Sequence, residues 1–265
     1  MRECRGCPVV RSCVYPVLFE THLTAEQETI KRMRDIPHPI IFEPPFDHPR
    51  NYQPGDLLRF DLVLFGDSVG HLPYVLHALE RAGEIGLGWE RAPFRLAEID
   101  TDRGEKLYRV SEGRVDGRDH GRTWRHLINS ARPLGESFQL EFLTPTRLKE
   151  GGALARRFSA PAFGGALLRR AAALIHFHAG ATREEVDFRS LLPELEAWSV
   201  EKESLRWRSL ARYSSRQRSQ LEIGGILGRV CLTGPSNALF PFLRLGEYIH
   251  AGKGAVMGLG RYRLT

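Results

Sequence analysis

No stretch of this 265-residue chain is apolar for long enough to cross a bilayer as a helix. The most hydrophobic run, Ala166 to Ile175, is broken by Arg169 and Arg170 and falls well short of the ~20 uninterrupted residues a span requires. No apolar leader opens the chain either, since Met1 runs into Cys4, Arg5 and Cys7, and the expected location is cytoplasmic. Cysteine is scarce, four residues in all, which excludes a disulfide-dense secreted scaffold. Strong charge of one sign is lacking too: 38 basic residues face 32 acidic ones, a net charge of +6. What is present, 42% hydrophobic residues, suffices for one or two packed cores and excludes disorder over the full length.

The positive charge is unevenly placed. Between Lys202 and Arg218 six basic residues (Lys202, Arg206, Arg208, Arg212, Arg216, Arg218) meet one acid, Glu203, and the last 22 residues carry Arg244, Lys253, Arg261 and Arg263 against Glu247 alone. Such clusters are either a solvated face or the footprint of an anionic partner. Three of the cysteines, Cys4, Cys7 and Cys13, follow a C-x2-C-x5-C pattern, a loop spacing that lets thiolates share a zinc or iron–sulfur centre. A fourth ligand is not evident, and unligated thiols are the alternative. Cys231, between Val230 and Leu232, reads as a small core residue.

Hydrophobic periodicity orders the rest. The proline-rich segment Ile36 to Pro54 allows edge-strand pairing around Ile40 to Phe42. Leu57 to Phe65 reads as a strand, Val69, Leu72, Leu76 and Leu79 as a helix stopping near Gly83, and Phe94–Ile99 with Leu107–Val110 as a hairpin. The second half, 131–265, is more regular. Phe138–Leu143 is a strand, the apolar stripe Leu167, Leu168, Ala171, Leu174 and Ile175 a helix, and Leu205–Tyr213 and Leu221–Leu232 are strands. Ala238, Phe242, Leu245 and Ile249, spaced 4, 3 and 4, mark another helix, and Ala255–Leu264 a last, glycine-containing strand. This βαββαβ order predicts an α+β fold with a ferredoxin-like (RRM-like) domain. The first half, 1–130, matches the same order in part; one helix and one strand of the six elements are not evident, which points to a degenerate copy or a chain that begins late.

Two segments carry chemistry. From Gly246 to Gly260 a helix ending in Glu247 and His250 runs into Gly252, Lys253, Gly254, Gly258 and Gly260. Glycines allow amides to converge on a phosphate while Lys253 adds a charge; a glycine-rich turn without function is the competing reading. A Walker loop is excluded, because Gly254 follows Lys253 where Ser or Thr is needed and the loop leads from helix to strand. The second segment, Arg206, Trp207, Arg208, Arg212, Tyr213, Arg216 and Gln217, interleaves flat rings with guanidinium groups, a composition for stacking on unpaired bases and gripping phosphates. On the helix of the second half, His178 falls in line with the apolar stripe and reads as a core histidine. His176 lies on the less apolar side and is the better functional candidate.

Together these residues resemble a known family, the CRISPR-associated endoribonucleases of the RAMP superfamily that process precursor CRISPR RNA. The likeness rests on C-x2-C-x5-C followed by Tyr15 and Leu18-Phe19-Glu20, on Gly86-Leu87-Gly88 with Arg91 and Phe94, and on Thr144-Pro145. It rests further on Arg212-Tyr213-Ser214 with Gln217 and Gly224-Gly225, and above all on Leu245-Gly246-Glu247 through His250, Gly252-Lys253 and Gly258-Leu259-Gly260. The resemblance implies tandem ferredoxin-like domains with CRISPR repeat RNA along the cleft between them, and metal-free cleavage that leaves a 2′,3′-cyclic phosphate. It places a catalytic histidine in the first helix of the first domain, the part not recognisable here. Within the chain, the candidates for catalysis are His250 as acid or base, Lys253 as charge stabiliser, and Tyr213 or His176 as second members. Those for RNA binding are Arg206, Arg208, Arg212, Arg216, Gln217, Gly252, Gly254, Gly258, Gly260 and Arg261. The resemblance also implies effector-complex subunits as further partners. The rival is a non-catalytic RNA-binding subunit. A nucleotide-dependent enzyme is disfavoured, because no acidic cluster suited to Mg²⁺ accompanies Gly252-Lys253.

Overall fold

A computed structural model describes the chain apart from residues 1–3, 5–6, 11, 21–35, 47–50, 89, 110–113, 116–120, 122, 124–126, 128–134, 183, 186 and 215–218. Its centre is a four-stranded antiparallel sheet built from β6 (Ser137–Thr146), β9 (Ser199–Arg208), β12 (Gly225–Thr233) and β13 (Tyr262–Leu264), in the order β13-β6-β12-β9. Helix α3 (Ala160–His178) links β6 to β9, and α5 (Phe240–Ile249) links β12 to β13. That is the ferredoxin-like arrangement expected of the second half.

Alternation along the strands decides which face is dry. Phe138, Leu140 and Phe142 of β6, Ile226, Val230 and Leu232 of β12, and Tyr262 and Leu264 of β13 pack against Phe163, Leu167 and Leu174 of α3 and Leu243 and Ile249 of α5. The residues between them point the other way. Glu141 of β6 accepts from Arg229 at 2.7 Å and lies 3.8 Å from Arg263, an ion-pair ladder across the exposed face. Cys231 shares that polar face, with its Sγ 3.6 Å from Oε1 of Gln139. The expectation of a core cysteine is therefore corrected: in a strand, apolar neighbours on both sides place the middle residue on the opposite face.

Helix α3 starts where its sequence says it should. Ser159 caps it by accepting from the amide of Ala162, and a proline stands in its first turn. The strand expected at Leu205–Tyr213 is two elements, since β9 ends at Arg208 and Ala211–Ser214 (β10) pairs with Ser219–Glu222 (β11) as a separate hairpin. The last expected strand is shorter than Ala255–Leu264. Residues Ala255–Met257 form a 3-10 turn between left-handed Gly254 and Gly258, and only Tyr262–Leu264 join the sheet.

The first half contributes β1 (Ile40–Glu43) paired with β2 (Asp61–Leu64), helix α2 (Leu72–Ile85), and the meander β3 (Glu98–Asp100), β4 (Lys106–Arg109) and β5 (Arg114–Val115). A short α1 (Val14–Phe19) precedes them. Leu18, Ile40 and Val75 form a small second core with Phe42, Leu62, Leu64 and Leu79 around it. This half joins the larger one through β1, whose Phe42 and Glu43 lie against the glycine-rich segment, and through the His178 ring, which bonds the Pro37 carbonyl. Among the described residues no helix is long and apolar enough to cross a membrane.

Candidate nucleic-acid interface

One end of the large sheet gathers the basic and flat side chains. At the end of β9, Arg208 pairs with Gly225 and Trp207 with Ile226, and Ile226 in turn faces Thr146 at the end of β6. Arg147, the next residue, ties in the two remaining pieces. Its guanidinium donates to the Glu222 carbonyl of β11 at 3.0 Å, and its own carbonyl accepts from the Lys253 amide at 2.9 Å. The β10–β11 hairpin and the turn at Lys253 are thereby fixed to the same strand ends.

At this end the Arg156 guanidinium sits 4.9 Å over the ring of Trp207, on the core side of β9, and that of Arg208, on the other face of the strand, sits 5.1 Å over Phe46. These are cation–π stacks that hold positive charge beside flat apolar rings. Tyr213 stands out from the hairpin, 61% exposed, opposite Gln220. Arg206 and Lys253 are exposed. Trp207 faces inward at its indole: Nε1 is buried without a hydrogen-bond partner among the described residues. Arg212 lies in β10 opposite Leu221, while Arg216 and Gln217 lie outside the described residues.

His250 is not part of this surface. It is 0% exposed, Nδ1 donates to the Leu259 carbonyl at 3.1 Å, and Nε2 lies 2.7 Å from Oε1 of Glu43. With both ring nitrogens engaged inside the protein, it has no access to a substrate, and the expectation of an acid–base role is corrected to a structural one. Glu43, 207 residues away, is not legible in the sequence, since a lone acid in a four-residue apolar strand has no periodic signal. His176 is half-buried, with Nδ1 2.9 Å from the Ala181 carbonyl. His178 is buried as expected; its Nε2 donates to the Pro37 carbonyl at 2.9 Å, and burial pushes its pKa below the ordinary histidine value.

The glycine-rich segment is packed rather than open. Amides of His250, Ala251, Lys253, Met257, Gly258, Leu259 and Gly260 already donate to protein carbonyls, so they do not form the phosphate cradle expected of them. The glycines answer to internal crowding. A side chain on Gly252 would meet the Arg147 carbonyl at 2.5 Å, one on Gly254 the Leu259 side chain at 2.8 Å, one on Gly258 the Phe42 carbonyl at 2.9 Å, and one on Gly260 the Ala251 carbonyl. Arg261 is held between acids, 2.7 Å from Oε2 of Glu43 and 3.5 Å from Asp61. Of the whole segment, the turn around Lys253 is what faces solvent.

Near the amino terminus, Cys4, Cys7 and Cys13 are partly exposed free thiols. Desolvation raises the pKa of Cys4, and Glu20, Cys13 and Cys7 raise it further. Among the described residues no three His, Cys, Asp or Glu side chains are grouped to hold a metal ion.

Comparison with known proteins is consistent with this architecture. Residues 1–120 match a family described as an N-terminal domain, and residues 140–262 match the family of the CRISPR-associated endoribonuclease Cas6. An uncharacterized protein of Archaeoglobus fulgidus is 31% identical over 108 residues, 40% of this chain and 35% of that protein; the chain spans about a third of the length of this relative. The fold is similar to a Cas6 (TTHB231) product complex, with TM-score 0.59 and 19% identity over 95% of this chain and 89% of the other. Thermus thermophilus Cas6 (TTHB231) gives 0.55 at 16% identity, covering 91% and 84%. A Cas6 (TTHA0078) product complex gives 0.52 at 20%, covering 96% and 91%. The ferredoxin-like second half, with the strand ends and glycine-rich turn assembled within it, is thus the part of the chain that matches the CRISPR-associated endoribonuclease Cas6 family.

Proposed function

We propose that the chain is an endoribonuclease that cleaves precursor CRISPR RNA within its repeats. The observation that carries this reading is the match of residues 140–262 to the Cas6 family, in a domain where Arg147 ties both the hairpin that bears Tyr213 and the turn that bears Lys253 to the sheet end where β9, with Arg206 and Arg208, terminates. Tyr213 is exposed for stacking on a base, and the cations are placed for the phosphates on either side. RNA carries its own nucleophile. A base takes the proton of the ribose 2′-OH, the freed oxygen attacks the adjacent phosphorus in line, and the P–O5′ bond breaks as an acid protonates the departing oxygen. A 2′,3′-cyclic phosphate and a 5′-hydroxyl result, with no metal-bound water required. In this scheme Lys253 stabilises charge on the phosphorane and Tyr213 stacks or serves as acid. Effector-complex subunits would receive the processed RNA.

The enclosure of His250 favours a second reading, an RNA-binding subunit that retains guide RNA without cutting it. One assay separates the two. Repeat RNA and a copy with a single 2′-deoxy substitution at the cut site are incubated with the protein in EDTA. Scission of the unmodified RNA alone is expected; binding of both without scission establishes the subunit instead.

A further inference from the structure

The amino-terminal strand β1 holds both ends of the glycine-rich segment through one side chain. Glu43 is 6% exposed at its side chain; Oε1 meets His250 at the start of the segment and Oε2 meets Arg261 at its end, each at 2.7 Å. His250 carries the constraint inward by donating to Leu259, and Ala251 donates to Gly260 at 3.0 Å, closing the loop's neck. Thr144 secures the same neck from β6, donating to the Gly258 carbonyl at 2.7 Å and accepting from the Arg261 amide at 2.9 Å. Beyond the neck lies the exposed turn that carries Lys253. The titratable and charged groups that face Glu43 are the His250 ring and the Arg261 guanidinium, with Asp61 of β2 facing the same guanidinium.

We propose that Glu43 is a positioning residue for RNA: by clamping His250 and Arg261 it fixes the neck of the glycine-rich segment and thereby aims Lys253 at the bound strand. The RNA half of this inference rests on the proposed function; the clamp does not. It also reassigns Arg261, whose guanidinium serves the clamp between two carboxylates rather than a phosphate. A charge buried in this way cannot lose its partner without the neck loosening, because the remaining groups are left unpaired in a low dielectric.

The test combines two readouts on the full chain. Hydrogen exchange of the amides at 250–261 is compared in wild type, Glu43→Ala and Glu43→Gln, with the α3 amides as a reference for global folding. Glu43→Ala is expected to lose protection across 250–261 while α3 keeps it, and Glu43→Gln, which can still bridge both partners, to recover most of it. Unchanged protection in Glu43→Ala overturns the clamp. Repeat RNA binding is then measured with and without Lys253→Ala. In wild type, losing Lys253 should weaken binding about fivefold, the scale of one exposed ion pair; in Glu43→Ala, which is itself weakened, removal of Lys253 should change little. Equal, additive losses overturn the positioning role. Wild-type protein that fails to bind repeat RNA refutes the proposed function and the RNA half together, while the exchange result still decides the clamp.

Discussion

The guanidinium Nε of Arg170 donates to the main-chain carbonyl of Ile249 across 2.6 Å, joining the middle of α3 to the last turn of α5. A cation at a helix carboxyl end meets the negative pole of the helix and satisfies an orphan carbonyl. Burial pulls the pKa of Arg170 down to about 10, which still leaves it charged at neutral pH. The second of the two arginines that interrupt the most apolar run of the sequence is thus a bolt between the two helices of the sheet.

Arg170→Ala is expected to destabilise the fold by about 3 kcal/mol, combining a lost charge-assisted hydrogen bond with a cavity. Urea denaturation measures it. A change below about 0.5 kcal/mol would show that Ile249 finds another donor.

Acid should weaken the protein through His178. Burial favours its neutral ring in the folded state. As the pH falls below about 6.5 the unfolded chain therefore takes up the proton first, and stability drops with it. The stabilisation is whole above that pH and is lost as the folded-state value is passed. Melting temperatures between about pH 7 and 5 should fall less steeply in His178→Gln than in wild type.

Gly260→Ala should cost about 3 kcal/mol, since φ is +76° and the new methyl group would strike the Ala251 carbonyl. Gly151→Ala is the control. Its φ is +56° but nothing lies within 4 Å, so only the conformational penalty of about 1 kcal/mol remains.

Tyr213→Ala should leave the melting temperature unchanged, because the ring is mostly in solvent. Repeat RNA binding should weaken by about 1–3 kcal/mol if the ring stacks on a base. Arg206→Ala should instead lower the salt dependence of binding, by about 0.7 in the logarithmic slope for a single-stranded contact. Binding isotherms at several salt concentrations distinguish the two.

The order of elements in the second half was legible because β6, α3, β12 and α5 carry period-two or helical stripes of large apolar residues. The start of β9 leaves no periodic signal because its first six residues, Ser199 to Ser204, are exposed and largely polar, so the strand is fixed by pairing with β12 rather than by burial. The start of the final strand is hidden because apolar residues from Ala255 onward mimic a strand while glycines in left-handed conformation turn the chain. For the site, composition singles out Arg206, Arg208 and Tyr213, of which the first two lie in β9 and the third in the separate β10–β11 hairpin. It misplaced His250, whose surroundings depend on Glu43 in the other half of the chain. Arg147 gave no signal of its own beyond following Thr144-Pro145, since its role lies in what its carbonyl and guanidinium connect.

Because so many amides of the glycine-rich segment are spent on the protein's own carbonyls, the motif is a signature of architecture before it is one of catalysis. Packing the segment in this way calls for those glycines whatever the surrounding side chains do, because an added Cβ at each would meet neighbouring atoms. Their presence in a sequence therefore identifies the scaffold, and whether such a scaffold turns over substrate has to be asked of the side chains that surround it.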